Sequence, residues 1–280
     1  MSSVNPRIAV VIPCFNDGLL LVEAIASVDE REPVEIVVAD DCSTEAETLT
    51  IIDRLITEGL TVVRHEQNRG TAETRTDGAR AARAPYVFPL DADDLAVPGA
   101  LARMADRLDA APDAIVCYGD YLEFGAHELV RAVPPSVDPY RVAYANEYPV
   151  SALFRRTFLE AVGGWTAPRR AYEDWSLWMT VAERRVPSVY LGPGELSFKK
   201  RFHGERLLNR AKREHRDLYR ELQALHPQLF SEIRHHRERS DLPLRRKILY
   251  PILHGGRHRF AFERHAKRWL DKAGVWTLRR

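Results

Sequence analysis

The sequence predicts an α/β protein built on a mostly parallel sheet with helices on both faces. Short β-rich runs alternate with stretches of helical period from residue 7 to about residue 130, the order that βαβ crossovers impose. The first run, RIAVVI at 7–12, is continuous and β-branched rather than alternating, as a strand buried on both faces is. With 280 residues, 45% of them hydrophobic and 29% charged, the composition is ordinary for a globular protein. A chain of this length buries about 75% of its unfolded surface and needs no staples.

Taken in order, residues 7–12 form a strand and 19–28 a helix. Residues 34–39 and 44–58 repeat the pair, as do 60–64 and 71–83. A fourth strand covers 86–90. The helix at 98–110 has Pro98 in its first turn, where a missing N–H costs nothing, and a fifth strand covers 114–118. Past residue 120 the pattern loosens. Residues 134–139 read as a loop, 151–154 as a short strand and 162–170 as a glycine-rich turn. Residues 171–184 form a helix with Trp175, Trp178, Met179 and Ala182 on one face. From 206 onward, helical stretches are broken by Pro227, Pro243, Pro251 and the Gly255-Gly256 pair.

Charge divides the chain. Overall, 41 Lys+Arg face 40 Asp+Glu, a net charge of +1. Residues 199–280 hold 23 basic and 9 acidic side chains, and residues 1–198 hold 18 and 31. An acidic body suits a cation site, and a basic tail suits phosphate-bearing partners or an anionic membrane surface. The alternative is that tail and body pack together and neutralise each other. The three cysteines have no paired metal spacing, which points to a reducing, cytoplasmic setting. The early apolar run at 8–12 is too short for a signal-peptide core, and no stretch approaches the roughly 20 apolar residues of a membrane span.

Three of the first four strands end in polar clusters: Pro13-Cys14-Phe15-Asn16-Asp17, Asp40-Asp41-Cys42-Ser43 and Asp91-Ala92-Asp93-Asp94, while the third leads into Asn68-Arg69-Gly70. One such cluster is a turn. Several on the carboxyl edge of a parallel sheet, where ligands bind, call for a cation or a hydrogen-bond-donating ligand, because uncompensated carboxylates repel. Asp91 and Asp93, two apart on an extended strand end, face the same way. Such hard oxygens suit Mg²⁺ or Mn²⁺, which takes its remaining ligands from water and phosphate. Asp94 reads as a turn or cap residue.

These residues, in their order, together with Arg75, Gly163-Gly164-Trp165 and Glu173-Asp174-Trp175, resemble glycosyltransferase family 2. Its members are inverting enzymes of the GT-A fold, a Rossmann-like nucleotide-diphospho-sugar transferase fold. The resemblance spans residues 7 to about 204. It implies a catalytic domain over 1–204, with a nucleotide-sugar half at 1–120 and an acceptor and base half at 121–204, followed by a basic helical extension at 205–280. Pro13 and Phe15 would line the nucleobase pocket, Phe15 standing where the family more often has Tyr. Asn16, Asn68, Gly70 and Ala92 would belong to the same donor site. Asp40 would accept a hydrogen bond from the base, Arg75 would lie over base or diphosphate, and Asp91 would contact ribose or nucleotide. Asp93 would bind the metal and Asp174 would be the catalytic base. Thr74-Arg75-Thr76 replaces the family's Ala-Arg-Asn.

The implied partners are a nucleoside diphosphate sugar, with uridine diphosphate favoured, and an acceptor sugar or glycoconjugate. In an inverting transfer, a carboxylate takes the acceptor hydroxyl's proton and the leaving diphosphate is stabilised by a cation, so no covalent nucleophile is required. Gly164 would let an acceptor approach closely, and Trp165 would stack on a sugar or belong to the core. Glu173 and Arg201 would flank acceptor or diphosphate, and His203, in Arg201-Phe202-His203-Gly204, would complete the metal's shell or contact phosphate. The carboxylates of 173–174 would otherwise serve only to meet a helix dipole. A nucleotidyltransferase would carry a basic glycine-rich loop after the first strand, and a dinucleotide oxidoreductase G-x-G-x-x-G there; neither is present. A binding protein that has lost catalysis is the main alternative, with a nucleotidyltransferase behind it. For the basic tail, packing on the body, a peripheral contact with anionic membrane and a homodimer contact compete. No nucleic-acid recognition module appears.

Overall fold

A computed structural model describes residues 5–166, 171–202 and 208–254. The first half folds as its periodicity dictates. β1 (Ile8–Cys14), β2 (Val34–Asp40), β3 (Thr61–Arg64) and β4 (Tyr86–Pro89) are all parallel, in the order β4-β1-β2-β3, with α1 (Gly18–Ala26), α2 (Ala46–Thr57) and α3 (Thr71–Ala81) as crossovers. Alternation along β1 feeds both faces. Ile8, Val10 and Ile12 join one apolar cluster with Leu21 and Met104, whereas Ala9 and Val11 join the other with Val37, Ala79 and Trp178. The register runs from Ile8 against Val34 to Cys14 against Asp40, so the two strands end side by side.

The second half is β5 (Leu95–Ala96), α4 (Ala100–Asp109), β6 (Val116–Tyr118), β7 (Asp120–Gly125), β8 (Leu129–Arg131), α5 (Pro139–Tyr144), β9 (Leu153–Arg155), α6 (Arg156–Val162), α7 (Glu173–Glu183), β10 (Ser188–Tyr190) and β11 (Leu196–Phe202). The expected fifth strand, β6, does not pair with β4. β9 lies between them, antiparallel to both, and the main sheet runs β10-β6-β9-β4-β1-β2-β3. Four of its six pairings are parallel. A second sheet, β5-β11-β7-β8, was not legible in the sequence. Its strands are short or half-exposed and carry charged residues, as in LSFKKRF of β11, so no apolar alternation marks them.

The chain continues through α8 (Leu208–Leu225), α9 (Pro227–Ser231), α10 (Ile233–Arg239) and α11 (Leu244–His254). These helices pack on the body. Tyr219, Leu222 and Leu229 share a buried cluster with Trp175 and Trp178, and the Tyr219 hydroxyl donates to the Ala143 carbonyl at 2.8 Å. Pro227 starts α9 and Pro243 precedes α11, but Pro251 lies inside α11 rather than ending it. A proline there has no N–H for the carbonyl four residues back. The Tyr140 hydroxyl donates to that Lys247 carbonyl instead, at 2.5 Å. Among the described residues no helix is long and apolar enough to cross a membrane.

Candidate active site

The ends of β1 and β2 are stitched together before any ligand is considered. Asn16 has φ of 60°, and its Oδ1 accepts the backbone N–H groups of Thr44 and Glu45 at 2.8 and 3.0 Å, fixing the segment that leads into α2. Its own N–H donates to Ser43 Oγ at 3.0 Å. Asp40 is buried; one oxygen takes the Ser43 N–H at 3.1 Å and the other lies 3.6 Å from Arg64 Nε. Asp41 organises the neighbouring loop by accepting from the Arg69 N–H at 2.7 Å, the Gly70 N–H at 2.8 Å and the His65 ring at 2.9 Å. Asn68 donates to the Asp41 carbonyl at 3.3 Å. Burial alone would raise the Asp41 pKa, but the Arg69 N–H, His65 and the Gly70 N–H together hold it below the usual carboxylate value. Phe15 remains 45% exposed beside this edge, and Pro13 is in register with Ala39 of β2.

At the end of β4, oxygens of Asp91, Asp93 and Asp94 lie within 4.8 Å of one another. Ala92 between them is buried. From α3, the buried Arg75 donates to Glu173 Oε1 at 2.6 Å and to Asp91 Oδ1. Burial would raise the Asp91 pKa, yet the Arg75 guanidinium outweighs it and holds Asp91 ionised below the usual range. Arg75 is therefore a bridge between β4 and α7 and does not lie open over a base or diphosphate. Glu173, half-buried, has its pKa raised by desolvation and by Asp174 against the opposing pull of Arg75.

Asp94 is more than a cap. Its Oδ1 accepts the Arg201 N–H at 2.7 Å, and its Oδ2 is buried with no hydrogen-bond partner among the described residues. Burial, then Asp91 and Asp93, push its pKa well above the carboxylate value. Three gathered carboxylates with one orphaned buried oxygen fit a hard divalent cation.

Adjacent residues of β11 diverge. Arg201 donates to Glu23 at 2.6 Å and to the Asp93 carbonyl at 2.8 Å, with its guanidinium 4.7 Å from the centre of the Phe124 ring. It latches the Asp93 backbone rather than facing a diphosphate. Half-buried Lys200 feels Asp94, Asp91 and Asp174; burial would lower its pKa, and Asp94, Tyr121, Asp91 and Asp174 raise it. No sequence signal marked Lys200, because the alternation of β11 was not visible.

Asp174 stands in the first turn of α7, after Tyr172 in the left-handed region at φ 64°. Its Oδ1 accepts the Trp175 N–H at 2.8 Å and its Oδ2 the Asn146 amide at 2.8 Å. Asn146, a loop residue with no motif around it, was likewise missed. Trp165 is core: it is 3% exposed and meets Phe154 edge-on at 6.2 Å. Gly164 also differs from expectation. At φ 83°, a Cβ on it would meet Thr76 Cγ2 at 2.4 Å, so its missing side chain admits Thr76, whose Oγ1 accepts the Trp165 N–H at 2.9 Å. His203 lies outside the described residues, as do 204–207 and 255–280.

Residues 9–161 match the family model described as Glycosyl transferase family 2. Over 172 residues the chain is 35% identical to the succinoglycan biosynthesis protein ExoO of Rhizobium meliloti (strain 1021), covering 55% of this chain and 49% of that one. Of this and two further curated relatives that it matches, the chain spans 49%, 13% and 59% of the length. S. aureus TarS 1–349 in complex with UDP-GlcNAc is similar in fold, with a TM-score of 0.61 and 19% identity over 86% of this chain and 69% of that one. The mannosyltransferase PcManGT from Pyrobaculum calidifontis in complex with GDP-Man and Mn²⁺ gives 0.57 and 17% over 98% and 82%. The fold is thus GT-A. The family match covers more than half of the chain and takes in the strand ends just described, and the chain belongs to glycosyl transferase family 2.

Proposed function

We propose that the protein transfers a sugar, with inversion, from a nucleoside diphosphate sugar to an acceptor hydroxyl in polysaccharide or glycoconjugate synthesis at the cytoplasmic side. The observation that carries this reading is the meeting of Asp91, Asp93 and Asp94 with a buried Arg75 that also grips Glu173. One arginine thereby holds a cation-binding strand end and the helix bearing Asp174 in a single frame.

Pro13 and exposed Phe15 would hold the base, and Asp40 would accept its N–H. Uracil is favoured, though thymine and guanine offer the same donor. The 68–70 loop, fixed by Asp41, would close the donor site. Asp93, flanked by Asp91 and Asp94 in a D-x-D arrangement, would hold Mn²⁺ or Mg²⁺, which when bound neutralises diphosphate charge. Lys200 would add a fixed positive charge for the leaving group. Asp174, oriented by Asn146, would accept the proton of the attacking hydroxyl, and Glu173 would serve through Arg75. The similarity to ExoO supports a polysaccharide product, and the donors named with TarS and PcManGT support the nucleotide-sugar class.

The test is thermal unfolding with UDP, dTDP, GDP or CDP, each with Mn²⁺ or with EDTA. A ligand at ~100 times its dissociation constant stabilises by about 2.7 kcal/mol, a rise of roughly 5–10 °C at about 2–4 °C per kcal/mol. A rise with one diphosphate only when metal is present, lost in Asp93→Asn, supports the donor site and its metal. No rise with any of them overturns the reading.

A further inference from the structure

The last described helix, α11, presents two faces of different chemistry. Tyr250 is buried with Tyr140 and Leu242, and the neighbouring Leu249 packs on them. On the outer side Leu244 is 70% and Ile248 50% exposed. Four residues apart on a helix, they stand one above the other. Arg245, Arg246 and Lys247 lie between them in sequence, and Lys247 Nζ donates to the Glu238 carbonyl at 3.2 Å. Residues 233–254 hold six Lys+Arg and two Asp+Glu. Residues 255–280 continue the bias with eight Lys+Arg, two Asp+Glu and four Phe or Trp.

We propose that the Leu244–Ile248 face of α11 docks on the headgroup surface of an anionic lipid bilayer. Like charge argues against residues 255–280 as its cover, since they are as basic as the helix itself. Like charge and small size argue against a second copy, because two apolar side chains fall far short of the ~800 Å² per partner of a stable interface. A bilayer meets both features at once: shallow insertion takes the two apolar side chains, and anionic headgroups complement Arg245 and Lys247, which flank them around the helix, Arg246 lying on the inward side. Each basic group near such a surface strengthens binding on the order of fivefold, an effect that salt weakens. The docked face also has a path to the acceptor half. α11 packs on α5, and Asn146, just beyond α5, donates to Asp174.

The experiment is co-sedimentation of the full chain with phosphatidylcholine vesicles, alone or mixed with phosphatidylglycerol, at low and high salt. The wild type is expected to bind the mixed vesicles at least ~10-fold more tightly than the neutral ones, and to release them in high salt. Leu244→Gln/Ile248→Gln, two exposed sites changed to a good helix former, is expected to weaken binding at least ~10-fold with an unchanged melting temperature. Equal binding to neutral vesicles, no binding, or full binding by the double variant overturns the proposal. So does a dimer, seen by light scattering, that the double variant converts to monomer, since the face would then belong to a second copy. The assay uses neither donor nor transfer, so its outcome is independent of the proposed reaction.

Discussion

On β11, neighbouring cations separate into two environments: Lys200 into the field of Asp94, Asp91 and Asp174, Arg201 onto Glu23 and the Asp93 carbonyl. A strand's alternation makes this division, and it predicts different losses. Lys200→Met is expected to lower transfer about 10²–10³-fold, as loss of a preorganised charge at the leaving group does. Arg201→Met is expected to lower the melting temperature as well, because the Asp93 backbone loses its latch. Comparing turnover with thermal unfolding for both variants separates the two roles. Asp174→Asn is expected to cut turnover about 10²–10⁴-fold, with the nucleotide-induced rise in melting temperature intact. A parallel loss of nucleotide binding would reduce Asp174 to a structural group at the start of α7.

Where elements join, small side chains and a buried histidine hold the site's frame. Gly163 and Gly164 both have positive φ, but a Cβ meets nothing within 4 Å at Gly163 and Thr76 at 2.4 Å at Gly164. Gly163→Ala is therefore expected to cost about 1–2 kcal/mol, the left-handed penalty alone. Gly164→Ala is expected to cost more, because α6 and α3 must also part; denaturant unfolding of the pair measures the difference. At the α7–α9 junction, the buried His226 ring lies 2.9 Å from Ser176 Oγ and 3.2 Å from Glu183. Burial lowers its pKa below the usual 6.5, against the pull of Glu183. The unfolded histidine then takes up a proton first, so stability is lost as pH falls below about 6.5. Melting temperatures from pH 7.5 down to 5.5 are expected to decline. His226→Gln is expected to flatten that decline in part, since burial also lowers the His236 pKa.

At the scale of the molecule, the change in charge near residue 198 is not a folding boundary. Tyr219, Leu222 and Leu229 complete the cluster around Trp175 and Trp178. Removing everything after residue 207 strips these three side chains from that cluster, at about 1.5–3 kcal/mol each, in a fold whose total stability is on the order of 5–15 kcal/mol. The truncated chain is expected to bind a hydrophobic dye and melt more than ~10 °C lower; a fully stable fragment would show the helices to be dispensable. The sequence by itself determined the parallel half, the carboxylate and glycine clusters at its strand ends and the family, because strand period, helix period and turn chemistry are written along neighbouring residues. Only the tertiary structure decided that β9 reverses between β4 and β6, that Trp165 is core and that Arg201 latches the Asp93 backbone. It also decided that Arg75 joins Asp91, 16 residues away, to Glu173, 98 residues away. Each of those outcomes depends on partners that meet only when distant segments pack, and local spacing carries no record of them.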